Sequence, residues 1–396
     1  MRSHRHVTLA AVVMFVGAGT LAHAELDAAA SGLWRSFLLR YRELSLTQLG
    51  DAELDALARE HLIGRLGARY RSWKKEDYAD LGALIAAIRE KEPERDSFQL
   101  VELALAAMLP AIDRYGGYET AADMARFQEA VRQGPGGSVQ MTIEHDKAGR
   151  LLCFPLAEGP ADRAAVLPGA ELLAVDGIAV ERKELVAVKF AFIGPPASVV
   201  RVKVRQPHGK TEELMITRDR EPASVVASDG PLGLNIRIRK FDRGSAKLLR
   251  ELLREHAAKA NRLTLDLRGN PGGLRDEAVL AVSLFLPEGT PIGTFVSRGG
   301  KESLKDGNGV EVSPESIRIV LDRRTASGAE FLAASLREGL PGKVMVFGGP
   351  SYGKAHSTAR AGTEGGGMLT LTEAELATAS GFTWDKAGVE PDHRAK

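Results

Sequence analysis

The chain has 396 residues, of which 44% are hydrophobic and 27% charged, and its net charge is +1. This length is sufficient for two or three domains with a sizeable core, and the composition is that of an ordinary globular protein. The nearly balanced charge gives no indication of a nucleic acid or an anionic membrane as a partner.

Residues 1–24 have the three parts of a secretory signal peptide. A basic start (1–6) precedes an apolar, uncharged run (7–21), and Ala22-His23-Ala24 has the small-x-small pattern of a cleavage site. The alternative, an uncleaved anchor, is disfavoured because the run is shorter than the ~20 residues that a spanning helix needs. We predict cleavage between Ala24 and Glu25, no stable membrane span in the mature chain, and a periplasmic or secreted protein.

Cysteine and histidine usage gives no indication of a disulfide, a metal or a cofactor. Cys153 is the only cysteine and lies in an apolar run, which is typical of a buried structural thiol. The histidines are scattered, and neither HExxH nor CxxC spacing occurs. We therefore expect no metal site and no cofactor.

The patterning changes twice along the mature chain, which predicts three domains. Residues 25–133 have apolar residues at helical spacing, predicting helices at 33–44, 54–66, 81–88 and 98–108, with Pro93 and Pro110 as breaks. We expect this region either to pack against the rest of the protein or to present a surface to a partner, such as an adaptor protein. Residues 134–218 predict a compact module with strands at 139–143, 151–155, 171–175 and 199–204 and short helices at 161–166 and 184–191.

Residues 219–396 alternate strand and helix. Strands are predicted at 234–239, 263–267, 317–321 and 344–347, with a helix capped by Ser245 and further helices after Gly273 and after Ser327. This order favours an α/β layer with a largely parallel sheet, in which sites form at the carboxyl ends of the strands. Residues 269–273, Ser327 and Lys354 all follow strands, so they can meet at one edge. The whole chain is thus a multidomain α+β protein.

Two interpretations compete for Ser327. A serine at a strand-to-helix junction commonly caps the helix. The same place suits a nucleophile, because the unpaired amides and the dipole of a helix N-terminus stabilise negative charge. Taken alone, this stretch favours the cap.

Three interpretations compete for residues 348–355. They satisfy the GxxxxGK pattern of a phosphate-binding loop, but Ala355 replaces the magnesium-binding Ser/Thr and no helix follows, so we reject that interpretation. The second is a solvated turn, and the third is a general base. A serine needs a base to become nucleophilic, and a lysine can serve when burial lowers its pKa. Amides of Gly328 and of Gly272 or Gly273 could then face the oxyanion.

Residues 134–218 resemble a PDZ domain in their glycine-rich loop, Pro160-Ala161, Leu167-Pro168-Gly169 and residues 173–177. This resemblance implies that an extended peptide adds to the sheet edge and that its terminal carboxylate meets Gly136, Gly137, Ser138 and Val139. The sequence departs from the family at Ala170, where an aspartate is usual. The alternative is a spacer module with no ligand.

From about residue 100 to the end, the chain resembles the carboxyl-terminal processing proteases, also called tail-specific proteases. The motifs are residues 266–273, 325–330 and 351–354, in that order, with the PDZ-like module ahead of them and similar segments at 116–127 and 370–392. The resemblance implies a serine endopeptidase with Ser327 as nucleophile, Lys354 as general base, an oxyanion hole at Gly273 and Gly328, and a fold related to crotonase and Clp proteases. Substrates would be proteins with unstructured C-terminal tails.

The sequence departs from this family at Thr358, where a glutamine that orients the lysine is usual. Thr358 is our candidate for that role, and His356 is an alternative. A Ser327–His356–Asp322 triad is also conceivable, although no G-x-S-x-G elbow supports it. The rival functions are a catalytically inactive PDZ scaffold, which the Thr358 departure favours, and an α/β hydrolase acting on small esters.

Overall fold

A computed structural model describes residues 26–132, 136–145, 150–156, 159–180, 188, 191–220, 222–230, 233–305 and 312–394. The predicted signal peptide and most of the helix predicted at 184–191 lie outside these ranges. Within them, no helix combines the length and the apolar character that crossing a bilayer requires.

The N-terminal region is helical, as predicted. Its helices are α1 (Ala28–Leu44), α2 (Asp51–Leu66), α3 (Leu81–Lys91), α4 (Ser97–Ile112) and α5 (Ala121–Arg132), with a short strand β1 (Gly117–Glu119) between the last two. The prediction that Pro110 breaks the helix is wrong, because Pro110 lies within the last turn of α4. A proline near a helix end removes one hydrogen bond and disturbs few others.

The middle module, which we define as the described residues of 136–220, is built from strands. They are β2 (Gly137–Ser138), β3 (Met141–His145), β4 (Leu151–Pro155), β5 (Ala170–Val175), β6 (Ile178–Ala179), β7 (Ile193–Gly194), β8 (Val199–Arg205), β9 (Thr211–Thr217) and β10 (Asp219–Arg220), with one short helix α6 (Pro160–Arg163). The main sheet has the order β3-β4-β5-β8-β9. Strand β9 was not predicted, because it is exposed at alternate positions and only one of its residues, Ile216, is buried, so it gives little apolar signal.

The C-terminal region alternates strand and helix. Its elements are β11 (Val225–Gly230), β12 (Gly233–Ile238), α7 (Ser245–Glu255), β13 (Arg262–Asp266), α8 (Arg275–Ser283), β14 (Pro291–Ser297), β15 (Gly300–Lys305), β16 (Ser316–Leu321), α9 (Gly328–Gly339), β17 (Val344–Gly348), β18 (His356–Gly362), β19 (Met368–Thr378) and β20 (His393–Arg394). We call it the parallel-sheet domain.

The predicted parallel sheet is present. Four neighbouring strands are parallel, in the order β12, β13, β16 and β17. Strand β11 is antiparallel to β12 at one edge, and strand β20 is parallel to β17 at the other. The expectation that Ser245 caps a helix is wrong, because Ser245 is the first residue of α7. The carboxylate of Glu277 on α8 accepts the amides of Gly244 and Ala246 at 2.8 and 2.9 Å instead.

A second sheet joins the first and last parts of the chain. Strand β19 pairs with β1, β14 and β18. Leu369 and Leu371 of β19 belong to the hydrophobic core of the N-terminal helices, whereas Ala374 and Leu376 belong to that of the parallel-sheet domain. The middle module has a third core of its own.

Candidate active site

The loops that follow β13 and β16 are hydrogen-bonded to each other at the carboxyl edge of the parallel sheet. The amide of Gly269 donates to Asp322 Oδ1 at 2.9 Å, and the amide of Ala326 donates to the carbonyl of Asn270 at 2.9 Å. The carboxylate of Asp322 also accepts the amide of Thr325 at 3.0 Å. Ser327 is therefore held between two strand ends.

Ser327 has a strained backbone, with φ 55° and ψ −119°. A non-glycine residue with positive φ is uncommon, and such strain is found often at functional sites. The residue lies directly before α9, and every residue from Gly328 to Leu336 is buried. The conformation is a sharp turn into a buried helix, which is the geometry of a nucleophile elbow without its usual sequence motif.

Gly272 approaches Ser327 so closely that no side chain would fit between them. A Cβ atom at Gly272 would lie 2.8 Å from the Cβ of Ser327 and 2.9 Å from the amide nitrogen of Gly328. The amide of Gly272 donates to Asn270 Oδ1 at 2.8 Å. Since that donor is occupied, Gly273 remains the better of the two oxyanion donors that the sequence left open.

Glu330 organises the backbone of both predicted catalytic residues. Its side chain is fully buried and lies one helical turn after Ser327. Oε2 accepts the amides of Ser327 at 2.7 Å and Lys354 at 2.9 Å. Oε1 accepts the amide of Gly353 at 2.7 Å and the hydroxyl of Ser351 at 2.5 Å. One carboxyl group thus fixes the segment 351–354 relative to Ser327.

Burial raises the pKa of Glu330, because the charged form loses its hydration. The hydrogen bonds from Ser351, Gly353, Lys354 and Ser327 lower this pKa part of the way back. All four groups are donors, so they match a carboxylate that only accepts.

The side chain of Lys354 lies against an aromatic ring. Its Nζ is 4.8 Å from the ring centroid of Tyr115, whose hydroxyl donates to the carbonyl of Gly353 at 3.5 Å. Burial raises the pKa of Tyr115 to about 12, so the phenol is neutral at neutral pH. An aromatic face favours a nearby ammonium group.

Tyr115 is positioned by Asp113, which is itself buried. The Asp113 carboxylate accepts the amide of Tyr115 at 3.0 Å and both the amide and the hydroxyl of Thr372 on β19 at 2.6 Å. The segment after α4 is thereby fixed to the second sheet, beside Lys354.

His356 pairs with Asp385 and not with Asp322. The distance from His356 Nδ1 to Asp385 Oδ1 is 3.1 Å, and the His356 ring is 5.7 Å from that of Tyr115. The structure thus gives no support to a Ser327–His356–Asp322 triad.

Thr358, the predicted lysine-orienting residue, lies in strand β18, which begins at His356, so Lys354 precedes the strand. Thr358 is beside an irregularity in the pairing of β18 with β19.

The predicted peptide-binding loop is partly engaged within the protein. Gly137 and Ser138 form β2, which pairs with β7 and β10, and the Val139 amide donates to the carbonyl of Phe192 at 3.2 Å. Val139 would have to exchange this partner to bind a carboxylate. Gly136, the first residue of the predicted set, directly precedes β2.

Glu330 lies within the sequence motif 325–330, but the motif does not predict that its carboxylate hydrogen-bonds to both Ser327 and residues 351–354. No sequence motif predicts a role for Tyr115 or Asp113. The spacing of Ser327 and Glu330 is the S-x-x-E of a capping box, and this signal could have indicated that Glu330 reaches back to the turn. No local signal marks Tyr115, because it lies 239 residues before Lys354 in the chain.

Comparisons with known proteins show what the chain is similar to. Residues 234–395 match the family described as Peptidase family S41. The carboxy-terminal processing protease CtpA of Bacillus subtilis is 29% identical over 307 residues, covering 76% of this chain and 65% of that protein. The chloroplastic carboxyl-terminal-processing peptidase 2 of Arabidopsis thaliana is 28% identical over 258 residues, covering 62% of this chain and 50% of that protein.

The chain therefore spans less than two thirds of the length of these two curated relatives. Among solved structures, the photosystem II D1 C-terminal processing protease superposes with a TM-score of 0.66 at 19% identity, covering 94% of each chain. That likeness concerns the fold. The matched domain and the sequence relatives show that residues 234–395 resemble peptidase family S41 and that the chain is similar to carboxyl-terminal processing proteases.

Proposed function

We propose that this chain is an exported serine endopeptidase that hydrolyses proteins near unstructured C-terminal tails. The observation that carries the proposal is the buried carboxyl group of Glu330, which accepts the amides of both Ser327 and Lys354. A glutamate that only caps the helix would accept the amide of Ser327, and the hydrogen bond from the amide of Lys354 would add nothing to that cap.

In this mechanism Lys354, when neutral, removes the proton from the Ser327 hydroxyl as its oxygen attacks the peptide carbonyl carbon. The amides of Gly273 and Gly328 stabilise the oxyanion. The lysine then gives its proton to the leaving amine, and water hydrolyses the acyl-enzyme by the same base. Thr358, Tyr115 and the main-chain hydrogen bonds of Glu330 position the lysine.

Residues 134–218 would act as a PDZ domain that binds the substrate tail at its sheet edge, and the N-terminal helices would offer a surface to an adaptor. The catalytic domain would share the crotonase and Clp type of fold. Its order of parallel strands with connecting helices supports this part of the proposal. We also propose cleavage of a signal peptide after Ala24 and a periplasmic or secreted location.

The nucleophile is tested by fluorophosphonate labelling and by cleavage of a denatured protein. We expect Ser327→Ala to lose both, because no other group would form the acyl-enzyme. Ser335→Ala is the matched control, since Ser335 is a buried serine of the same helix, outside the site. Labelling that persists in Ser327→Ala would refute the nucleophile, and hydrolysis of small esters by the wild type without peptide cleavage would favour the small-ester hydrolase.

Tyr115 is tested through the pH dependence of kcat/KM. The rate should rise with pH as Lys354 loses its proton. Because an aromatic face stabilises an ammonium group by about 0.5–1 kcal/mol, Tyr115→Ala should move this rise roughly half a pH unit to lower pH. Tyr115→Phe keeps the ring and should retain the wild-type profile. An unshifted profile in Tyr115→Ala, or a rate that is flat with pH in the wild type, would contradict the role of this contact or of the base.

A further inference from the structure

A cavity of about 700 Å³ lies between the middle module and the parallel-sheet domain. Its module wall contains residues 138–143 together with the apolar side chains of Phe154 and Phe192. Its opposite wall contains five cationic side chains, which are Arg237, Arg239, Lys240, Arg268 and Arg324. Two walls of different chemistry indicate a ligand with both apolar and anionic groups.

The cationic wall carries an excess of positive charge. The only carboxylate among the described lining residues is Asp322, which accepts backbone amides of its own and neighbouring loops. Arg268 forms two hydrogen bonds with the Asp266 carboxylate, which also interacts with Arg237. Lys240 Nζ lies 3.5 Å from Asp242 Oδ2, so five cations face three carboxylates, Asp242, Asp266 and Asp322. Arg237 Nε is buried and has no hydrogen-bond partner among the described residues. A buried N–H without an acceptor is unfavourable, and an anionic group beside the guanidinium would offset part of that cost electrostatically.

The module wall offers an edge for an extended chain. Strand β3 is the terminal strand in the order β3-β4-β5-β8-β9, and Met141, Thr142 and Ile143 line the cavity. A peptide that adds to such an edge alternates its side chains between the two sides. Alternate residues of the peptide would then face the cationic wall.

The cavity also leads to the candidate active site. Gly269, Pro271 and Asp322 line it, and these residues belong to the two loops that hold Ser327. A tail seated on β3 would continue towards the nucleophile without leaving the protein surface.

We propose that this cavity selects C-terminal tails with Asp or Glu in the residues upstream of the terminal carboxylate, through Arg237, Arg239 and Lys240. The inference rests on the proposed function and adds a substrate class to it. Charge complementarity of this kind supplies specificity, and it weakens as salt screens the charges.

The test measures binding in the full-length chain carrying Ser327→Ala, so that no peptide is cleaved. Two fluorescent C-terminal peptides of equal length differ only in Glu or Gln at two upstream positions. We expect the Glu peptide to bind about tenfold more tightly at 50 mM salt and the advantage to shrink at 300 mM. In Arg237→Gln/Lys240→Gln the Glu peptide should fall to the affinity of the Gln peptide.

The control removes two cations outside the cavity, Lys247→Gln/Lys301→Gln, and should keep the advantage; thermal unfolding verifies that both double variants fold. Equal affinities in the Ser327→Ala protein, an advantage that survives in Arg237→Gln/Lys240→Gln, or failure of both peptides to bind would each overturn the proposal. Cleavage of a denatured protein by the wild type reports separately on the protease activity, so the two proposals can fail independently.

Discussion

Glu330→Ala should abolish activity and destabilise the fold by about 3–5 kcal/mol, because it leaves four buried donors without an acceptor. Those donors include the amides of Ser327 and Lys354, so the proposed nucleophile and the proposed base lose their common hydrogen-bond acceptor. We expect kcat/KM to fall at least ~10³-fold, since a displacement of about 1 Å already costs ~10²-fold. Urea unfolding and fluorophosphonate labelling measure the two effects.

Glu338→Ala is the matched control for Glu330→Ala. Glu338 lies on the same helix and accepts hydrogen bonds from Ser380, but it is not buried at the site. Its loss should lower stability by only ~1 kcal/mol and leave labelling intact. Equal loss of labelling in both variants would mean that helix stability, and not the anchor, explains the effect.

Glu330→Gln keeps the shape of the side chain and removes its ability to ionise, so it isolates the contribution of the charge to stability. The folded state raises the pKa of Glu330 above its unfolded value. The stabilisation from this titration is therefore complete below the unfolded pKa of about 4.3 and is lost as pH rises through the folded pKa. The advantage of the wild type over Glu330→Gln in free energy of unfolding should be larger near pH 4 than near pH 8. An advantage that grows with pH would show that the hydrogen bonds outweigh burial.

Gly272→Ala should lower kcat/KM by ~10²-fold or more while the protein still folds. The added Cβ would lie 2.8 Å from the Cβ of Ser327, so the turn that carries the nucleophile must shift. The positive φ of 94° adds a backbone cost of about 1–2 kcal/mol. Labelling rates and thermal unfolding measure the two effects separately.

Gly269→Ala is the control that isolates the close contact. Gly269 is in the same loop and also has a positive φ, 73°, but no atom lies within 4 Å of its added Cβ. It should incur a similar backbone cost and keep its activity within a few-fold. If Gly269→Ala lost as much activity as Gly272→Ala, loop strain and not contact with Ser327 would be the cause.

Local patterns predicted the elements whose residues alternate or repeat clearly. Strand β4 was predicted at 151–155 and has those bounds, and α2 was predicted at 54–66 and begins three residues earlier. The errors lie where local signals conflict with tertiary contacts. Ser245 has the residue type of a cap, but Glu277 reaches the same amides from another helix.

The sequence by itself indicated three differently patterned regions and the parallel sheet, because these depend on periodicity read within short windows, and the proposed pair of Ser327 and Lys354 came from the resemblance of short motifs to a known family. Only the tertiary structure determined what surrounds that pair. The contacts of Glu330 with residues 351–354, of Gly272 with Ser327, and of Tyr115 with Lys354 join segments from 21 to 239 residues apart. Such contacts depend on how the strand ends meet in the folded protein, and the separation of these residues along the sequence does not predict that geometry.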